Sequence, residues 1–232
     1  MSEKVVRRLM KEERIRVRYA GRKRRYSSYV GEITPAAKNL VERDFHANAP
    51  DTLWLTDITE FAAADSKVYL SPVIDCFDGK VVSWETSRNP DNALVESMVD
   101  KAIGTLDAET LRKLKDERDP RSLVIHTDRG GHYRGGMWIE KLDGQGIQRS
   151  MSRKGNSGDN AACEGFFGRM KNEMYYGIHW DRASDLETAI ESNIDFYNNH
   201  RIKMSLGGMS IREHRGRLPK VSRKQSEAPS VL

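Results

Sequence analysis

The stretch from residue 52 to residue 87 alternates runs of β-branched and aromatic residues with short polar turns. Asp65-Ser66 and Asp78-Gly79 fill those turns, and both pairs are typical of tight connections between antiparallel strands. The pattern therefore predicts a three-stranded antiparallel meander. Its strands are expected at 52–63, 66–76 and 80–87.

Downstream of the meander, the apolar residues follow a helical period. Four of them recur at steps of four, which predicts an amphipathic helix over 91–106 with Asp91 as its N-cap. These four are Leu94, Met98, Ala102 and Leu106. We then expect, in order, a charged connector at 107–121, a strand at 123–127, a helix at 136–143, a strand around 147–151, a flexible loop at 152–159 and helices at 160–176 and 184–200.

The order of these elements, βββαβαβαα, predicts an α/β fold. Its sheet is mixed, with three antiparallel strands followed by shorter parallel strands, and helices flank it. At the start of the last helix, Ser184 and Glu187 match a capping box.

Several classes of protein are disfavoured by the composition. No run approaches the ~20 apolar residues of a membrane span, and the charged first residues differ from a secretory signal. Cys76 and Cys163 lie far apart and lack the spacing of a zinc site. We therefore expect a reduced, cytoplasmic protein with no membrane partner.

Charge divides the chain into three parts. Residues 1–45 hold 13 Lys and Arg against 6 Asp and Glu, residues 201–232 hold 8 against 2, and the middle holds 18 against 26. A plain nucleic-acid-binding domain would carry positive charge over its main body. We interpret the pattern as an acidic core that holds metal cations between two ends that bind phosphates. The alternative is that the ends are simply solvated, which we prefer for residues 221–232.

The basic N-terminal part combines a predicted helix at 4–19 with the segment GRKRRYSSY and a linker at 35–43. Four cations of that segment lie among tyrosines, a combination that suits DNA phosphates, sugars and bases. They are Arg22, Lys23, Arg24 and Arg25. The alternative is a solvated charge run.

Two acids occupy positions where a carboxylate is costly to bury. Asp57 lies inside an otherwise apolar strand, and Asp128 ends the strand LVIHT. Strand ends are also where ligands collect in α/β sheets. One such Asp alone would more simply be a turn-capping or salt-bridged residue, but two in neighbouring strands favour a metal site.

Glu164 is the third candidate and alone the weakest, because glutamates are common on helix surfaces. It shares a helix face with Asn160 and Lys171, since the three stand at i, i+4 and i+11. That face would present a metal ligand beside an amide and an ammonium able to contact DNA. The buried side of the same helix is predicted to consist of Phe166, Phe167 and Met170.

Three segments, WLTDIT, VIHTDRGGHY and MSRKGNSGDNAACEGFFGRMKNE, resemble the blocks of bacterial insertion-sequence transposases whose catalytic product is the second of two reading frames. That family belongs to the retroviral-integrase superfamily, and its signature is Asp, Asp and then Glu after 35 residues. Asp57, Asp128 and Glu164 match it, with 35 residues between the last two. The later stretch DFYNNHRIKMSLGGMSIREHR is also similar to the family's usual ending, so the likeness covers roughly residues 1–215.

The resemblance implies an RNase H-like fold and a DNA transposase that nicks the ends of an insertion sequence and transfers the strand into target DNA. It also implies two Mg²⁺ or Mn²⁺ ions, with Asp57 bridging them, Asp128 on one and Glu164 on the other. The implied partner is DNA, both the insertion-sequence ends and the target. A homo-multimer on DNA and a bacterial, nucleoid-associated location are expected as well.

By the same resemblance, residues 1–45 form a basic DNA-binding arm, residues 46–205 the RNase H-like catalytic core and residues 206–232 a basic tail. The family's catalytic subunit carries a fuller helix-turn-helix region before its core. We expect residues 1–45 to be the last part of that region and a linker. At the other end of the chain, the segment SIREHR departs from the family's usual ending, in which a Ser-Pro pair starts the turn.

Further side chains near the three acids are candidates for DNA contact. Asn160 and Lys171 are expected to grip DNA near the scissile phosphate, and the loop that contains Arg153 and Lys154 to close over the substrate. For these two loop residues, a solvated surface is an equally good interpretation.

Three more residues near the strands have open or structural interpretations. His126 and His132 flank Asp128 and either contact DNA or water or pack beside the strand end. Asp75 is interpreted as a structural acid next to a turn.

Three hypotheses follow. The leading one is a transposase that cuts and joins DNA. The second is a nuclease of the same fold that hydrolyses without joining, against which the basic ends and the 35-residue spacing argue. The third is a DNA-binding product that blocks transposition, for which an intact set of three acids is unnecessary.

Overall fold

A single mixed sheet forms the centre of the computed structural model, which describes residues 3–15, 35–116, 123–154 and 157–218. Its strands are β1 (Leu53–Thr56), β2 (Thr59–Ala62), β3 (Lys67–Asp75), β4 (Val81–Ser87), β5 (Val124–Thr127) and β6 (Gln148–Met151). β1 and β2 pair antiparallel with successive halves of β3, whose other edge pairs with β4. β1 also pairs in parallel with β5, and β5 with β6. The predicted order of antiparallel and then parallel strands is confirmed.

The first predicted strand, 52–63, is in fact two strands. The chain breaks between β1 and β2 at Asp57 and Ile58, where the Asp57 carboxylate accepts a hydrogen bond from the Ile58 N–H (2.8 Å). Such a local bond from side chain to backbone competes with the sheet ladder. The placement of Asp57 inside a strand was therefore wrong, because this residue lies at a break.

Helices cover both faces of the sheet. The described helices are α1 (Glu3–Glu12), α2 (Asn92–Ile103), α3 (Ala108–Leu114), α4 (Gly136–Asp143), α5 (Ala161–Met170), α6 (Ala183–Asn199) and α7 (Ile211–Gly216). α1 has no buried residue and contributes to neither core cluster. The predicted Asp91 cap is confirmed, since its carboxylate accepts from the Leu94 N–H (3.0 Å). The predicted connector contains α3, which Asp107 caps in the same way through Thr110 (2.7 Å). No described helix has both the length and the apolar character needed to cross a membrane.

The predicted capping box of α6 was wrong. Its N-cap, Arg182, makes no side-chain cap, and the Ala183 N–H instead donates to Asp65 from the turn between β2 and β3 (2.8 Å). A capping box does start α7, where Ser210 and Glu213 bond each other's backbone N–H. A distant carboxylate thus does for α6 what a local sequence pattern does for α7.

The hydrophobic core consists of one cluster on each side of the sheet. Phe61 and Leu70 pack with α5, α6 and α7, whereas Trp54 and Val73 pack with α2 and α4. This arrangement gives three layers, helix, sheet and helix.

Segments on both sides of the predicted core pack against this body. Ala36 and Ala37 contact the second cluster, and Leu206 and Ile211 belong to the first. The predicted boundaries at residues 45 and 205 stay predictions.

α5 continues into a π-helical turn, Lys171–Tyr175. This turn places the Tyr175 hydroxyl on the outer edge of β2. There it accepts from the Ala62 N–H (2.9 Å) and donates to the Ala62 carbonyl (3.1 Å).

Arg215 of α7 is held by two buried acids at the turn between β3 and β4. Its Nη2 donates to Asp75 (2.7 Å) and its Nε to Asp78 (2.7 Å), and both carboxylates have no solvent exposure. These contacts agree with a structural role for Asp75.

Replacing Arg215 with Met should lower the free energy of unfolding by about 3–5 kcal/mol, because it leaves two buried carboxylates without their guanidinium. Urea unfolding followed by far-UV circular dichroism measures the change. The matched control is Arg88→Met, which breaks a partly exposed pair with Glu187 and should cost less than about 1 kcal/mol. Equal losses in the two variants would contradict the role given to Arg215.

Candidate active site

The parallel pairing of β1 and β5 brings two of the predicted acids together. Leu55 is in register with His126, so Asp57 and Asp128 each stand two residues beyond the same rung of the ladder. Both carboxylates line one cleft, of about 200 Å³, which Tyr133 also lines. The two acids thus belong to neighbouring strands, as expected, although Asp57 follows β1 instead of lying within it.

Asp128 is held by the turn that follows β5. Its Oδ1 accepts from the Gly130 N–H (2.8 Å). A Cβ at Gly130 would lie 2.9 Å from that oxygen, so any other residue at this position would displace the Asp128 carboxylate. Burial raises the pKa of Asp128, while the Gly130 N–H and His132 oppose the shift.

The Asp57 carboxylate is bonded by the backbone of the next residue and by Asn160 at the start of α5. One carboxylate oxygen accepts from the Ile58 N–H (2.8 Å) and the other from Asn160 Nδ2 (3.0 Å). Burial and then repulsion from Asp128 raise the pKa of Asp57 to about 8, and Glu164 contributes in the same direction. The charged form of this cluster is therefore unfavourable by itself.

Glu164 lies in the first turn of α5, on its exposed face. The predicted buried side of the helix, with Phe166, Phe167 and Met170, is confirmed. Glu164 is close enough to act electrostatically on Asp57. Within the described ranges, however, no three Asp, Glu, His or Cys side chains converge tightly enough to enclose a metal ion.

The groups around the cleft fit a hard divalent cation. Asp57 and Asp128 offer only carboxylate oxygens, the donors that Mg²⁺ and Mn²⁺ prefer. Asn160 Oδ1 is buried nearby and has no hydrogen-bond donor among the described residues. A cation would also relieve the repulsion between the two carboxylates.

Asn160 and Lys171, both predicted to contact DNA, have partners in the protein. Asn160 bonds Asp57, as described above. Lys171 Nζ lies 5.0 Å from the centre of the Phe61 ring, and burial lowers the pKa of its ammonium. Contact of these side chains with DNA stays a prediction.

The loop before α5 gives its two predicted contacts different surroundings. Arg153 bonds the buried Asp159 carboxylate through Nε (2.9 Å) and Nη2 (3.0 Å), whereas Lys154 is exposed. The predicted DNA contacts Arg22, Lys23, Arg24 and Arg25 lie outside the described residues.

The two histidines beside Asp128 differ. His126 is fully buried and bonds Ser150, so it packs beside the strand end. His132 lines the cleft, and its Nδ1 lies 3.3 Å from Asn92 Oδ1.

Asp159 is the functional candidate that sequence reasoning missed. It was assigned to a flexible loop, yet it is fully buried and bonded by Arg153, Arg43 and Asn39. Its position directly before Asn160 was the available signal, but partners more than 110 residues away cannot be identified from local spacing.

Comparison with protein families and known proteins agrees with this geometry. Residues 47–157 match an integrase core domain, and residues 164–217 match a second model of the same description. The chain is 51% identical to a probable transposase of insertion sequence element IS1353 from Shigella flexneri, over 93% of this chain and 40% of the relative. It is 39% identical to a putative transposase of IS150 from Escherichia coli, over 95% of this chain and 74% of the relative.

The same fold occurs in solved retroviral structures. The simian T-cell lymphotropic virus intasome matches with a TM-score of 0.59 at 18% identity, over 88% of this chain and 66% of that one. The HTLV-2 integrase catalytic core in complex with magnesium matches with a TM-score of 0.53 at 19% identity, over 72% and 97%. The predicted RNase H-like fold is confirmed. The chain therefore belongs to the insertion-sequence transposases of the retroviral-integrase superfamily.

Proposed function

We propose that the chain catalyses metal-dependent cleavage at insertion-sequence ends and transfers the freed strand into target DNA. The observation that carries the proposal is the level pairing of β1 with β5, which places the Asp57 and Asp128 carboxylates in one cleft. Family membership supports the same activity, because the relatives are transposases and residues 47–157 match an integrase core domain.

The cofactor we propose is a pair of Mg²⁺ or Mn²⁺ ions held by Asp57, Asp128 and Glu164. All three side chains would contribute carboxylate oxygens to these ions. The raised pKa values of Asp57 and Asp128 support this assignment, because a cation stabilises the charged form that burial disfavours. The HTLV-2 core of similar fold was solved with magnesium.

When bound, two such ions supply activation of a water or a DNA 3′-hydroxyl and stabilisation of the leaving 3′ oxygen. The chain's own residues orient the ligands for that chemistry. Asn160 donates to one oxygen of Asp57, and the Gly130 N–H donates to one oxygen of Asp128. Asp57 is thus fixed through both oxygens, by Asn160 and the Ile58 N–H, and Asp128 through one, and none of these donors is itself charged.

DNA binding is proposed for the basic parts of the chain and for Lys154, which is exposed beside the loop that leads to α5. Two ends of an insertion sequence must meet during transposition. We therefore propose a homo-multimer that assembles on DNA.

The Asp128→Asn variant should lose strand joining by at least about 100-fold, because it removes a charged metal ligand worth several kcal/mol in the transition state. The assay incubates the whole chain with labelled DNA carrying the ends of its own insertion sequence, target DNA and Mg²⁺. Joined products are resolved on denaturing gels.

Asp100→Asn is the matched control, since this exposed acid pairs with Lys141 on α4. It should retain joining. Cleavage without joining by the native chain would favour the nuclease, whereas DNA binding without cleavage, unchanged in Asp128→Asn, would favour a blocking protein.

In the absence of divalent ions, Asp57 should make stability fall with rising pH. Its pKa is raised from an ordinary value near 4 to about 8 in the folded state. Between these values the folded chain holds a proton that the unfolded chain releases, so the free energy of unfolding decreases as pH rises. By pH 8 the native chain should have lost at least about 1 kcal/mol relative to Asp57→Asn.

Urea unfolding in EDTA at several pH values measures this difference, with Asp100→Asn as the control that should follow the native chain. Added Mg²⁺ should then stabilise the native chain and the control but not Asp57→Asn. A difference between Asp57→Asn and the native chain that is the same at all pH values would disprove the electrostatic account.

A further inference from the structure

The carboxylate of Asp159 is a point where distant segments meet. It has no solvent exposure, and Arg153 bonds it through the backbone N–H (3.0 Å) and the guanidinium. Arg43 Nε donates to Oδ1 (2.8 Å) and Asn39 Nδ2 to Oδ2 (3.1 Å). The Arg153 and Arg43 guanidiniums hold the pKa of Asp159 well below its usual range, so the carboxylate is charged.

A second series of hydrogen bonds connects residues 39–43 to the backbone of Asp159. The Leu40 N–H donates to Ser150 Oγ (2.9 Å), which is 2.8 Å from His126 Nδ1, and His126 Nε2 is 2.9 Å from the Asp159 carbonyl. A carbonyl only accepts, so Nε2 is the donor. Burial lowers the pKa of His126, which favours the neutral ring, and Nδ1 of that ring accepts a hydrogen bond from the Ser150 hydroxyl. The chain of bonds therefore runs in one direction, from Leu40 across β6 and β5 to Asp159.

The segment that supplies these contacts is itself a tight turn. Asn39 Oδ1 accepts from the N–H groups of Val41 (3.0 Å) and Glu42 (2.9 Å). Glu42 and Arg43 have φ values of 49° and 71°, in the left-handed region that non-glycine residues rarely adopt. Such a conformation persists only where surrounding contacts enforce it.

The start of α5 lacks its usual local support. Asn160 is the N-cap, but its side chain makes no cap bond. Its Nδ2 donates to Asp57, and its Oδ1, the atom that would accept a cap bond, has no donor among the described residues. Asn is otherwise among the preferred capping residues. The place where α5 begins is consequently fixed by the residue before it, Asp159. That place determines where Asn160 and Glu164 stand relative to Asp57.

We propose that Asn39, Arg43 and Arg153 position the catalytic helix α5 through Asp159. The turn at 39–43 thereby links the N-terminal part of the chain to the active site. These are positioning residues, since they act on the site through Asp159 and Asn160. The inference rests on the proposed function for the catalytic role of α5, but the contacts that support it are independent of metal and DNA.

Hydrogen exchange of the full chain, without metal or DNA, tests the positioning directly. Arg43→Gln should raise exchange of the amides in the first turns of α5 by about tenfold, because it removes a charge-assisted bond to a buried carboxylate. Exchange in β3 and β4 should stay unchanged. Arg43→Lys, which keeps the charge, should restore most of the protection.

The matched control is Arg149→Gln on β6, whose guanidinium pairs with the exposed Asp143. It should leave α5 unaffected. Unchanged exchange of α5 in both Arg43→Gln and Arg153→Gln would overturn the proposal. A uniform rise across sheet and helices would also overturn it, because that pattern indicates a general loss of stability.

A second measurement connects the turn to the chemistry. In the strand-joining assay, Arg43→Gln should raise the Mg²⁺ concentration for half-maximal rate by about fivefold and leave DNA affinity unchanged. Weaker DNA binding with unchanged exchange of α5 would make Arg43 a DNA contact and would overturn the positioning role. If the native chain does not cut DNA at all, the proposed function fails while the exchange result still decides the inference.

Discussion

The parallel pairing of β1 with β5 is the constraint on which the rest of the molecule depends. Because the two strands are parallel and end at the same rung, the residues that follow them, Asp57 and Asp128, lie close together at the C-terminal ends of the strands. Two carboxylates placed there repel each other and lose hydration, so the pairing is unfavourable at its end and must be stabilised elsewhere. The apolar clusters on both faces of the sheet, which include Trp54 and Phe61, provide that stabilisation.

The neighbours of the two acids share one property, because each fixes a carboxylate without neutralising it. Gly130 offers a backbone N–H and Asn160 an amide, and neither brings a positive charge into contact with Asp57 or Asp128. The positively charged side chains of Arg43 and Arg153 are bonded instead to Asp159, the residue before Asn160. No described arginine or lysine therefore competes with a cation for the two carboxylates, while the two arginines bond the residue before the N-cap of α5.

Periodicity predicted most of the fold, because strands and helices of this length carry their own pattern of apolar residues. The sequence also proposed the three acids as candidates, two from their cost of burial and Glu164 from its spacing and family block, and their role as metal ligands stays a prediction. Partners distant in sequence could not be predicted. Asp65 replaces the expected Ser184 cap, and the supposed loop residue Asp159 is bonded by Arg43 across 116 positions. Spacing reports which face a residue occupies, whereas these bonds depend on how separate elements pack.

The Tyr175 hydroxyl on β2 has a consequence for how copies of the chain can associate. An uncovered sheet edge is a template on which another chain can add a strand. At Ala62 the phenol occupies both the N–H and the carbonyl that such a strand would need. Extension of the sheet from one copy into the next is therefore blocked at this point. The proposed multimer would therefore not form by continuing the sheet past Ala62.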